Sequence, residues 1–255
     1  IRGAAAAIRA VPGLFALILF STFNNLVGGV YMALMDPYGL TLFDVKVWGI
    51  VLGVTSTGFI IGGAIVAKRG LGRNPIRTML LAVIVMGVLG AVFTIRDWWW
   101  LYALGIWLYM SLVPIIESAE QTVIQKVVPF QTQGRVFGAA ATFEAGAAPI
   151  TAFLIAPIAQ FWVIPYMETD AGRGAWGWLL GEGQGRGIAL VFLVSGLVMV
   201  VLAALAFTTR SYRILSREYT EAPAGDGDGD GDGYGEAAIG PASAAQARAG
   251  DAGLG

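Results

Sequence analysis

The chain has 255 residues, of which 56 % are hydrophobic and 13 % charged, with net charge −1, no His and no Cys. Soluble domains carry about 25 % charge, so this chain cannot coat a water-facing surface, and its mean hydropathy of +0.70 points to a membrane. The missing His and Cys exclude disulfides, Cys-containing zinc sites, Ser–His–Asp or Cys–His nucleophiles and imidazole relays, and the balanced charge offers no footprint for nucleic acid.

The first residue is Ile1 and the first Met is Met32, inside an apolar run, with no charged leader and cleavage site before it. The expectation is part of a longer polypeptide, with residues 1–10 as a cytoplasmic linker. Apolar runs then fall at 11–34, 47–67, 78–95, 98–116, 136–164 and 188–207. Each is continuous and long enough to cross about 30 Å of hydrocarbon as a helix. A β-barrel needs short alternating segments instead. The expected fold is an all-α integral membrane protein, with six transmembrane helices filling residues 11–207.

In the first span, Asn24 and Asn25 sit at mid-membrane depth, where they either line a polar cavity or join helices. The second span carries Gly49-x-x-x-Gly53 and Gly58-x-x-x-Gly62 and then Gly63, a close-packing pattern. The connection to the third span holds Lys68, Arg69, Arg73 and Arg77, which at the least anchor it on the positive side.

The fourth span runs into Pro114 and then Glu117, Glu120 and Gln121, spaced to share one helix face. Glu117 is expected near the inner edge, facing a vestibule, and Glu120 in an ion pair with the basic loop. The fifth span holds Glu144 among Ala139, Ala140, Ala141, Ala145, Gly146, Ala147 and Ala148. Ionisable groups at that depth are costly and mark candidate sites, so Glu144 reads as a proton or cation-substrate carboxylate, or else as a neutral packing residue. Depth singles it out over Glu117 and Glu120, expected nearer water.

The outer loop 165–187 contains the apolar stretch Ala175-Trp176-Gly177-Trp178-Leu179-Leu180, which either lies on the membrane or caps the outer mouth, or connects floppily. After Phe207 a basic juxtamembrane segment, 208–219, carries Arg210, Arg213 and Arg217. Residues 220–255 include ten Gly and ten Ala and read as a disordered tail. Within it, Asp226, Asp228, Asp230 and Asp232 match the opening of a calcium loop, but its twelfth position falls on Ala237 or Ile239, which cannot chelate. No metal or other cofactor is expected.

With both termini on one side, that side collects twelve Lys and Arg, including Arg2, Arg9 and Arg248, against four on the other: Lys46, Arg96, Arg173 and Arg186. The positive-inside rule then puts both termini in the cytoplasm of a multi-pass cell-membrane protein. Seven Trp fall near the expected outer ends or in the outer loop, among them Trp48, Trp98, Trp162 and Trp178, consistent with interface anchors.

Two stretches resemble a known family. Gly63-Ala64-Ile65-Val66-Ala67-Lys68-Arg69-Gly70-Leu71-Gly72-Arg73 is similar to the loop motif of major facilitator superfamily transporters, with Ala67 where the family carries an acid. Gln125-Lys126-Val127-Val128-Pro129-Phe130-Gln131-Thr132-Gln133-Gly134-Arg135-Val136-Phe137-Gly138 is similar to the segment before the penultimate helix in the macrolide-efflux-like branch. The resemblance covers about residues 10–215 and implies the C-terminal half of a twelve-helix fold, partnered by an N-terminal six-helix half.

It further implies proton-coupled efflux of amphipathic small molecules or drugs. Glu144, Asn24, Asn25, Glu117 and Gln121 are then substrate or proton candidates. Gly63, Lys68, Arg69, Gly72, Arg73, Glu120, Gly134 and Arg135 belong to the cytoplasmic loops and gate. Two other classes compete. An intramembrane enzyme has no His, Cys, G-x-S-x-G or membrane aspartate pair to use, so no enzyme is expected. A non-transporting scaffold or sensor on a transporter fold is the alternative, and transport by the full-length protein decides it.

Overall fold

The computed structural model describes residues 11–183 and 185–221, together with Ile8. All of the expected linker but Ile8, and all of the expected tail but Thr220 and Glu221, lie outside the described residues. The described chain is helical without strands. In order it forms α1 (Leu14–Leu42), α2 (Val45–Arg69), α3 (Pro75–Val92), α4 (Trp99–Val127) and α5 (Phe130–Ile158). A π-helical turn (Ala159–Val163) joins α5 to α6 (Ile164–Glu168), and α7 (Asp170–Leu180), α8 (Arg186–Thr208) and α9 (Arg210–Glu221) follow.

Six of these segments are long and apolar enough to cross a membrane: α1, α2, α3, α4, the continuous stretch Phe130–Glu168, and α8. The molecule is therefore a multi-pass membrane protein by length and composition. Its outer faces agree, because Phe153 is 81 % and Ile60 73 % exposed on the sides of the helices, and such faces suit hydrocarbon rather than water.

Several helices outrun their apolar stretches. α1 continues through Asp36 and Pro37 to Leu42 rather than stopping near 34. A proline inside a helix removes one N–H and disturbs one turn, and this turn is held from outside. The Tyr102 hydroxyl donates to Met35 O (2.7 Å) and Trp48 Nε1 donates to Asp36 Oδ1 (2.9 Å). Trp48 is thus a buried core residue stacked on Tyr102, not an interface anchor. α4 runs past Pro114 to Val127, and α5 starts at Phe130, well before 136. Asp44, Asn74 and Thr169 cap α2, α3 and α7 with their side-chain oxygens, which satisfies backbone N–H groups that open a helix.

α3 and α8 are the centre of the bundle. They pack on each other, α3 also packs on α4, α4 carries α2, and α1 carries α5. α3 and α8 cross where Gly87 faces Gly196, and a Cβ on Gly87 would come within 2.8 Å of the Gly196 carbonyl. Small residues permit that approach of two backbones. The apolar windows of α3 and α8 are 56 % and 50 % buried, those of α2 and α5 only 17 % and 11 %. α2 and α5 are therefore peripheral, with large uncovered faces.

At the α3–α8 centre, rings from α1, α4, α8 and the end of α3 pack together: Tyr31 stacks on Phe192 at 5.0 Å, while Tyr109 tilts against Tyr31 at 5.1 Å and Phe93 against Phe192 at 5.6 Å. Such pairs add about 0.5–1.5 kcal/mol each beyond burial.

Candidate functional site

Glu120 lies on the α4 face that turns toward α1 and is only 8 % exposed. Its neighbours are Ser21 of α1 and Glu144 of α5. Glu117, one turn earlier on α4, lies within charge-interaction range of both Glu144 and Glu120. Three carboxylates from two helices therefore meet against a serine on a third. They differ in access: Glu117 is exposed, Glu144 half-buried and Glu120 buried.

The cluster is not satisfied from within. Glu120 Oε1, Glu144 Oε1 and Ser21 Oγ are all secluded and close to one another, yet none of them makes a well-formed hydrogen bond. A buried polar atom without a partner carries a desolvation penalty of about 1–3 kcal/mol, more when charged. Carboxylates side by side away from water also repel, and a proton or a cation between them relieves that repulsion. Among the described residues no three acidic side chains are placed to hold a metal ion jointly. The arrangement suits a small exchangeable charge better than a fixed coordination sphere.

The expectation of Glu120 in an ion pair with the basic loop is corrected here. Among the described residues it has no salt bridge, those present being Arg173–Asp170 and Arg186–Asp97. The reason is the continuation of α4 past Pro114, which carries Glu120 inward beside α1 rather than out into a loop. Glu144 keeps its place well inside a span, about 21 Å along α5 at 1.5 Å per residue, but it is the less buried of the pair.

The other candidates scatter. Asn24 borders a crevice with Phe20, Val27, Val83 and Met199, its Oδ1 unpartnered. Asn25 turns back and donates from Nδ2 to Ser21 O (3.0 Å), which is local helix bonding. Gln121 is exposed.

Lys68, Arg69 and Arg73 are exposed around the α2–α3 connection. Gly72 turns that connection with φ +75°, a conformation that side chains disfavour. Gly63, Gly134 and Arg135 lie in helices on open surface. In the second similar stretch the residue with visible structural work is Gln133. Its Nε2 donates to Gln125 O (2.7 Å) and Val128 O (3.0 Å), clamping the α4–α5 turn at Pro129.

Some 15 Å farther along α1 from Ser21, by helical rise, a crevice opens between α1 and α4. Tyr31, Met32, Met35, Phe93, Tyr109 and Phe192 line it. Aromatic and Met side chains make an apolar, adaptable wall. The one polar atom there with an assigned partner is the Tyr31 hydroxyl, which donates to Phe192 O (3.1 Å).

Composition analysis does not find Arg186. It stands at the first turn of α8, yet it is 2 % exposed. It pairs with Asp97, and it donates from Nη1 to Leu180 O (2.7 Å) and Thr94 O (3.2 Å) and from Nη2 to the Tyr38 hydroxyl (2.9 Å). The segment before it, from 165 to 180, is largely helical. α7 is capped by Thr169 and buries Leu180, while Trp178 remains outside.

No family model, curated protein or solved structure matches this chain.

Proposed function

We propose that the protein is a secondary active transporter that exports amphipathic small molecules in exchange for protons, as one half of a twelve-helix major facilitator arrangement with both termini in the cytoplasm. One observation carries the reading: a buried carboxylate, Glu120, with a free oxygen, beside Glu144 and Ser21 within a set of membrane-spanning helices. A transporter coupled to protons needs a carboxylate that gains and loses a proton in a site opened by turns to each side. Glu117, exposed and next to both, supplies a route between that site and water.

The crevice of Tyr31, Met32, Met35 and Tyr109 supports the substrate class. It is formed by the same α1 and α4 that carry Ser21 and Glu120, so a movement between these helices changes both places together. Its apolar wall suits an apolar body with a small polar part. The uncovered faces of α2 and α5 support the second six-helix half. The Lys and Arg asymmetry supports the orientation.

The test uses full-length protein in vesicles with an imposed pH gradient and a fluorescent amphipathic cation. Glu120→Gln keeps the shape and fixes the neutral state. It should abolish pH-driven movement, Glu144→Gln should lower it at least about tenfold, and Glu117→Gln should slow it only severalfold because that carboxylate is the exposed one of the three. Wild-type rates in both Glu120→Gln and Glu144→Gln would overturn proton coupling at this cluster.

A further inference from the structure

α9 is the least expected element, because its sequence reads as a simple basic segment. Arg210, Arg213 and Arg217 are spaced by three and four, so they form one stripe. Leu215, on the opposite side, is 3 % exposed, adjoins Gly13 and lines a groove with Leu17, Ile76 and Leu80 at the ends of α1 and α3. Two further contacts fix the rotation of the helix. Asn74 Nδ2 donates to Ser216 Oγ (2.5 Å), and the Lys126 ammonium lies 4.2 Å from the centre of the Tyr219 ring. With its apolar side held by three spans, α9 must show its arginines outward, and all three are exposed.

The arginines border a recess of about 430 Å³ that Tyr212, Ile214 and Ser216 complete. Its level is set by the chain. α8 ends at Thr208, and Thr209 accepts from Tyr212 N to start α9. Arg210 therefore stands where a span leaves the hydrocarbon. Tyr212 also packs edge-on against Phe207 of the last α8 turn, at 5.2 Å. One wall of the recess thus borders the apolar layer, and all three arginines line it. Among the described residues none of the three has a salt-bridge partner. Guanidinium forks fit phosphate oxygens bidentately, and an exposed Ile214 beside them is what an interfacial helix offers to acyl chains.

We propose that α9 is an anionic-phospholipid site: the stripe Arg210–Arg213–Arg217 holds the headgroup phosphate of a lipid in the leaflet at the terminus-bearing end, with its chains along Phe207 and Ile214. The lipid then ties together the ends of α1, α3, α4 and α8, which α9 already bridges. The site stands apart from the carboxylate cluster and does not depend on transport.

The experiment is native mass spectrometry of the full chain in detergent, titrated with short-chain phosphatidylglycerol or phosphatidylcholine. Each cation near a charged lipid surface contributes about 1 kcal/mol, or roughly fivefold. Wild type should therefore retain phosphatidylglycerol over phosphatidylcholine by at least about tenfold, and R210Q/R213Q/R217Q should fall to parity. R210K/R213K/R217K should keep part of the preference, because charge remains while the fork is lost. R69Q/R73Q/R77Q, in the neighbouring connection, should keep nearly all of it. If the triple Gln protein does not fold, R213Q alone should cost about fivefold. An unchanged preference in the triple Gln or the R213Q variant overturns the proposal. So does a loss confined to R69Q/R73Q/R77Q, which would move the site to the α2–α3 connection. Inorganic phosphate displacing phosphatidylglycerol at equal concentration also overturns it, since the site would then take a free anion.

Discussion

At the end of the bundle away from the termini, Arg186 joins α8 to Asp97, Tyr38, Thr94 and Leu180 through one buried guanidinium. At the terminus-bearing end, α9 joins the same helices with one leucine, one side-chain hydrogen bond and one cation–ring contact. The first end concentrates its cohesion in a charge removed from water. The second spreads it over separate weak contacts at the surface. Buried charge pairs fail all at once when a partner goes, whereas weak surface contacts yield singly. The carboxylate cluster lies nearer the second end, by helical register along α4 and α1. The end that loosens in small steps is the end closer to these carboxylates.

The largest effect should come from Arg186→Met. It removes the buried charge, leaves Asp97 without its partner and strips donors from two buried carbonyls. Breaking a buried pair costs about 3–5 kcal/mol, and the half-exposed Asp97 places this case toward the lower figure. A fall of several degrees in the detergent melting temperature of the whole bundle is expected. Asp97→Asn should approach the same loss, because it leaves the buried Arg186 charge without its anion, and R186M/D97N should be no worse than R186M alone. A loss from Asp97→Asn far below that of R186M would mean that the carbonyl contacts, not the charge pair, hold this end.

Leu215→Ala tests the other end. Truncating a buried leucine costs about 2–5 kcal/mol where a cavity remains. Here the neighbours form the open groove beneath α9, so the low end is expected. The loss should be local. Limited proteolysis within α9 should speed up roughly tenfold or more, with little change in the melting of α1, α3 and α8. A matching drop in the global melting temperature would make α9 part of the cooperative core and erase the contrast between the ends.

Much of this was readable from residue order and much was not. The six spans follow from continuous apolar runs, because hydrocarbon imposes a length on each. Their ends do not, because Pro37 is tolerated where Tyr102 and Trp48 hold the turn around it, and α4 runs on through Pro114, and no local pattern reports such continuations. The Gly spacing of α2 is half informative. Gly58 and Gly62 press on the α4 backbone at Trp107 and Ser111, while Gly49, Gly53 and Gly63 face open space. Spacing marks faces that can pack, not the face that does. Glu144 stands out by depth, and Glu117, Glu120 and Gln121 by their helical spacing. That Glu120 is the buried member required knowing which side of α4 meets α1. Arg186 carried no signal at all, since an arginine opening an apolar run looks like every other boundary cation.

The smallest effect separates two roles of Asn74. Its Oδ1 accepts from Arg77 N (3.1 Å) to cap α3, while its Nδ2 donates to Ser216 Oγ on α9. Ser216→Ala removes only the second bond. A single half-buried hydrogen bond is worth about 0.5–1.5 kcal/mol, and here the one freed group, the part-exposed Asn74 amide, can reach water, so the lower figure is expected. Asn74→Ala loses the cap too, for about 1 kcal/mol more. Asn74→Asp keeps the acceptor and the cap but gives up the amide donor, so the bond to Ser216 survives only if the serine hydroxyl turns to donate. Its anionic charge at a helix start is favourable by about 0.3–1 kcal/mol. The expected order of stability is therefore Asn74→Asp at or above Ser216→Ala, with Asn74→Ala lowest, read by hydrogen exchange of the Arg77 and Thr78 amides. Protection of those amides should fall in Asn74→Ala and hold in Ser216→Ala. If Ser216→Ala exposes them equally, the start of α3 is held by α9 rather than by its own cap, and the terminus-bearing end is a single cooperative unit.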